Sequence, residues 1–148
     1  VHHGAPIVSL LSKPKASPER LALPLVLSSV EAGFPSPADD YIEGELDLNE
    51  LLVEHPSATF YVRVTGDSMV NAGILPEDIL AVDRALNAKN NDIVIAVING
   101  ELTVKRLVKR RDGHIELHPD NDSYSIISFT DGSEFEVWGV VSGVIRKY

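Results

Sequence analysis

The sequence predicts a mainly β domain of antiparallel strands with one short helix, preceded by an extended N-terminal arm. Three observations carry this. Runs rich in Val, Ile, Thr and aromatic residues are separated by Asn99-Gly100, Asp112-Gly113 and Asp131-Gly132, and such dipeptides supply the positive φ angles of tight hairpin turns. Six prolines (Pro6, Pro14, Pro18, Pro24, Pro35 and Pro37) crowd residues 1–38. Each removes a backbone donor and restricts the residue before it, which disfavours long helices and central strands. Only one short segment has apolar residues at helical spacing.

Taken in order, residues 1–38 read as the arm and residues 39–148 as a folded β domain. The arm is not wholly polar: Leu21-Ala-Leu-Pro-Leu-Val-Leu27 needs a groove on its own subunit or on a partner. Leu48, Leu51 and Leu52 share a helical face; Asp47 is placed to cap this helix, and Pro56 ends it. Strands are expected at Thr59–Val64, Ile79–Val82, Ile93–Ile98, Glu101–Val108, His114–Leu117, Tyr124–Phe129 and Glu134–Ile145. The three turn dipeptides predict hairpins at three of the four connections between the last five of these.

A chain of 148 residues can bury a substantial core without staples. It has no cysteine, which excludes disulfides, zinc–thiolate sites and a cysteine nucleophile and fits a reducing cytoplasm. The net charge of −9 argues against autonomous nucleic-acid binding, because phosphate affinity comes from Lys and Arg. Residues 21–62 carry acids but no Lys or Arg, whereas Lys105, Arg106, Lys109, Arg110 and Arg111 form a basic cluster. That cluster is either a solvated strand end or a dock for an acidic segment. No apolar run approaches the ~20 residues of a membrane span.

Gly66-Asp67-Ser68-Met69 and, 37 positions after the serine, Lys105 in Glu101-Leu-Thr-Val-Lys-Arg-Leu107 carry the chemistry. A serine hydroxyl needs a base to become a nucleophile, and a neutral lysine can replace histidine in that role. Such a lysine must be buried in apolar surroundings. Taken singly, a serine in a Gly-Asp turn is more often a turn residue or a helix cap, and a lysine on a strand is more often solvated. Strand alternation puts Thr103, Lys105 and Leu107 on one face and Leu102, Val104 and Arg106 on the other. The pattern does not choose between Lys105 and Arg106; arginine is too basic to act as the base. The turn could present the backbone N–H groups of Asp67 and Ser68 to a developing oxyanion. Upstream, Glu31-Ala-Gly-Phe-Pro-Ser-Pro37 looks like a processing site.

Together with Asp47-Leu-Asn-Glu-Leu-Leu52, His55-Pro-Ser-Ala-Thr59, Asp92-Ile-Val-Ile95 and Glu101-Leu-Thr-Val-Lys-Arg106, these segments resemble the LexA-type self-cleaving serine peptidases. Within that family they are most similar to the UmuD-type accessory subunits of error-prone DNA polymerases. The resemblance runs in order over residues 23–148. It implies a compact twisted β fold like that of signal peptidases, a homodimer, Ser68 as nucleophile, Lys105 as general base, and a cut between Ala32 and Gly33 of the chain's own arm. It also implies stimulation by a RecA filament on single-stranded DNA during the SOS response. The product would join a UmuC-type polymerase subunit for translesion synthesis. No cofactor or metal is expected, and the expected location is the cytoplasm.

His2, His3, His55, His114 and His118 lack metal-site spacing and read as surface or turn residues. Trp138 reads as core or dimer interface. Asp78, Asp83 and Asp92 read as turn-forming acids at strand ends. Two other readings of the whole chain are a non-catalytic module of the same fold and the C-terminal part of a LexA-type repressor.

Overall fold

The computed structural model describes residues 8–15, 17–26, 42–129 and 135–148. Ten strands are described: β1 (Val8–Ser12), β2 (Ala22–Val26), β3 (Ile42–Asp47), β4 (Thr59–Val64), β5 (Ile79–Asp83), β6 (Ile93–Ile98), β7 (Glu101–Lys109), β8 (Ile115–His118), β9 (Ile127–Phe129) and β10 (Glu136–Ile145). One short helix, α1 (Leu48–Leu52), follows β3 directly. Eight strands form an antiparallel sheet in the order β1-β4-β5-β10-β6-β7-β8-β9; β2 and β3 form a separate antiparallel ribbon. The mainly β class and the single short helix are as the sequence predicts.

Local chemistry explains the elements that were legible. Asp47 caps α1 by accepting from the Asn49 amide at 2.9 Å. Asn99 and Gly100 both adopt positive φ, 52° and 79°, and join β6 to β7 in a hairpin whose register pairs Ile98 with Glu101. Gly113, with φ of 91°, turns the chain between β7 and β8.

Among the described residues, the third expected hairpin is not seen: β9 and β10 do not pair. β9 pairs with β8 at the sheet edge, while β10 lies between β5 and β6. Asp131 and Gly132 fall outside the described residues. A turn dipeptide reports only local backbone preference. The ten-residue β10 instead pairs with two strands that bury its Val140. Gly139 permits this close approach: a Cβ there would lie 2.6 Å from Val82 Cγ1.

Within the expected arm, β1 pairs with β4 as an edge strand, and β2 pairs with β3. Lys13 Nζ lies 4.9 Å from the Phe60 ring centroid, and the Leu21 amide donates to Asp47. Leu21, Leu23, Leu48 and Leu51 remain exposed on the ribbon and α1.

Buried side chains form two clusters. One contains Val62, Val64, Met69, Ile74, Leu80, Val82, Ile95 and Val104, with Trp138 packed against it. The other contains Val94, Ala96, Leu107, Leu117, Phe129 and Val140. Trp138 is partly buried against the first cluster, tilted on Phe60 with Arg84 over its ring. Among the described residues, no helix is long and apolar enough to cross a membrane.

Candidate active site

β7 is an interior strand, with β6 on one side and β8 on the other. Alternation along it puts Val104 with the first cluster and Leu107 with the second. Lys105 shares the Leu107 face, opposite the fully buried Val94 in the β6 register. The residue is only 7% exposed. Burial alone lowers its pKa, to about 8, because low-dielectric surroundings disfavour the ammonium. No ion pair to Lys105 occurs among the described residues.

Ser68 follows β4 in the turn Gly66–Met69, and it too is buried, at 4% exposure. Lys105 Nζ donates to Ser68 Oγ at 3.0 Å across 37 positions of sequence. Once the amine is neutral, the direction can invert, with Oγ–H donating to the Nζ lone pair. The next residue, Met69, lies in the first core cluster and anchors the turn. Among the described residues, the amides of Asp67 and Ser68 donate no backbone hydrogen bond. Ala32 and Gly33 lie outside the described residues.

Arg106, the residue the pattern could not separate from Lys105, has a different environment. Its guanidinium forks onto Asp120, with Nη2 donating to Oδ2 at 2.6 Å, and Nη1 donates to the Asn91 carbonyl. Asp120 holds the guanidinium in its charged form. The rest of the basic cluster is also largely engaged: Arg110 pairs with Glu116, and Lys109 Nζ donates to the Ala88 carbonyl.

Sequence reasoning missed the loop after β8. The Asp120 carbonyl accepts from the Asn71 amide at 2.8 Å, and its own amide approaches Met69 Sδ at 3.3 Å. Asn121 Nδ2 donates to the Asp67 carbonyl at 2.9 Å, and the Tyr124 hydroxyl donates to the Asp67 carboxylate. The loop thus grips the serine turn on both sides of Ser68. Its composition, Pro119-Asp-Asn-Asp-Ser123, signals a turn but not the distant backbone it holds.

The other candidates sit where turns need them. Asp78 accepts from the Leu75 amide and from Arg146, Asp83 from the Ala85 amide, and Asp92 from the Lys89 amide. His114 pairs with Asp112, and His118 with Glu116. Glu54, His55 and Asp83 bring ligand atoms within 4.8 Å of one another. There, however, Asp83 is already engaged by His55 Nδ1 at 2.6 Å and by the Ala85 amide.

A family described as Peptidase S24-like matches residues 24–142. The chain belongs to this family. SamA of Salmonella typhimurium is 44% identical over 139 residues, which cover 93% of this chain and 95% of SamA. MucA of Escherichia coli is 44% identical over 122 residues, 82% of each protein. The LexA repressor of Cupriavidus necator is 40% identical over 147 residues, 99% of this chain and 66% of the repressor. The expected kinship with LexA-type peptidases therefore holds, and Ser68 and Lys105 both fall inside the matched span.

Proposed function

We propose that the chain is a self-cleaving serine peptidase in which Lys105 activates Ser68 to cut the Ala32–Gly33 bond. The observation that carries this reading is a buried lysine, without a counter-charge among the described residues, in hydrogen-bond contact with a buried serine. A structural lysine would ordinarily take a carboxylate partner or snorkel to solvent.

In the acylation step, neutral Lys105 takes the proton of Ser68 Oγ, and Oγ bonds to the Ala32 carbonyl carbon. The oxyanion is met by the amides of Asp67 and Ser68. On collapse, the C–N bond breaks and the ammonium of Lys105 returns a proton to the Gly33 nitrogen. Water, deprotonated by Lys105, then releases the acyl group from Ser68. Gly33 lets the chain pass close to the turn, and tethering gives the bond a high effective concentration.

The resemblance to UmuD-type proteins and the similarity to SamA and MucA support a role in SOS mutagenesis. In that role the chain dimerises, is stimulated by a RecA filament on single-stranded DNA, and after cleavage joins a UmuC-type polymerase subunit. A second reading, the C-terminal part of a LexA-type repressor, draws on the LexA alignment, which spans nearly all of this chain. Co-purification of the cleaved form with a polymerase subunit favours the first; a DNA-binding domain encoded upstream favours the second. Self-cleavage itself is tested by incubating the purified chain at mildly alkaline pH and weighing the products. Fragments 1–32 and 33–148 are expected. A chain that stays intact for days, with and without an activated RecA filament, contradicts the reading.

A further inference from the structure

We propose that Asn121 is a positioning residue that fixes the Asp67–Ser68 peptide and so aims the Ser68 N–H at the carbonyl under attack. The proposal rests on the self-cleaving reading above and deepens it.

A trans peptide holds its C=O and N–H in one plane, pointing to opposite sides. Whatever grips the Asp67 carbonyl therefore sets the direction of the Ser68 amide. Asn121 Nδ2 makes the shorter of two bonds to that carbonyl, at 2.9 Å; the Val70 amide is 3.3 Å away. Asn121 is itself held in one orientation. Its Oδ1 accepts from the Ser123 amide at 2.9 Å, and its carbonyl accepts from the Tyr124 amide at 3.1 Å. A flipped side-chain amide would put an NH2 against an N–H and an oxygen against a carbonyl. Arg106 secures the loop through Asp120, one residue earlier. None of these contacts touches Ser68 Oγ, so Asn121 acts through the peptide and not on the hydroxyl.

Asn121→Asp is the decisive substitution. It keeps the shape and the Oδ1 acceptor for Ser123 but replaces the donor with an anion facing the Asp67 carbonyl. Asn121→Ala, which adds no charge, is measured beside it. Both are expected to lower the alkaline plateau rate of self-cleavage by about tenfold or more, with the pH midpoint unmoved and the melting temperature little changed. The Ser68 amide should shift in 15N–1H NMR spectra of both variants. An Asn121→Asp chain that cleaves within about twofold of the parent overturns the proposal. So does a loss of rate traced to a moved pH midpoint, because that would place the effect on Lys105. If the parent itself stays intact, the self-cleaving reading fails. The Ser68 amide resonance then still decides whether Asn121 sets this peptide: an unmoved resonance overturns the proposal.

Discussion

Lys105 Nζ lies 3.0 Å from Ser68 Oγ, and both residues are withdrawn from solvent. Burial brings the pKa of the amine to about 8. The neutral, base-competent fraction therefore rises as pH climbs through that value. Self-cleavage should accelerate close to tenfold per pH unit below 8 and level off above it. A rate profile measured by gel densitometry between pH 6 and pH 10 checks this.

The same burial has a cost in stability. The unfolded lysine keeps its proton to about pH 10.4, whereas the folded one releases it near 8. The unfolded chain thus binds more protons between those values, and stability should rise with pH across that window. Lys105→Met is expected to abolish cleavage yet stabilise the fold at pH 7, by on the order of 3 kcal/mol. Urea denaturation of the variant beside the parent measures the difference. A destabilised Lys105→Met chain would show that the amine is not a buried liability.

Much of the fold could be read from the sequence because its signals are local. Asn99-Gly100 demands positive φ wherever it sits, and Asp47 caps the residues directly after it. The place of β10 could not be read. Asp131-Gly132 suggests a hairpin, but which strands flank β10 depends on pairing with the sequence-distant β5 and β6. The site was legible in its chemistry and not in its support. Alternation leaves Lys105 and Arg106 equivalent until β6, β8 and Asp120 give them different surroundings. The grip of Asn121 on Asp67 spans 54 positions and has no periodic or motif signature.

Arg106 and Asp120 link the strand that carries the lysine to the loop that holds the serine turn. Asp120→Asn weakens the fork and should lower both the cleavage plateau and the melting temperature. Arg106→Lys should lower both as well, because an ammonium cannot reproduce the paired donors. Differential scanning calorimetry alongside the rate assay separates these losses from a purely chemical defect.

Asp78 is buried and receives two bonds from Arg146, at 2.7 and 2.6 Å. The Arg146 guanidinium beside it holds its carboxyl below the usual range. The pair therefore supplies stability that is present above the unfolded carboxyl pKa and lost as pH falls through the folded one. Arg146→Ala should lower the melting temperature at pH 7 and weaken its fall on acidification from pH 5 to pH 3. Thermal melts at stepped pH check both.

Gly139→Ala should destabilise the domain by about 1–3 kcal/mol through overpacking, because the new Cβ meets Val82 at 2.6 Å and both strands are tied into the sheet. Chemical denaturation gives the figure. A neutral result would mean that β5 and β10 are not held as closely as described.

The most direct test is an NMR titration of the Lys105 side chain in the Ser68→Ala chain, which should remain uncut while the signal is followed. A midpoint near pH 8 is the expected result, and one at ~10.4, the value of a solvated lysine, would contradict the account.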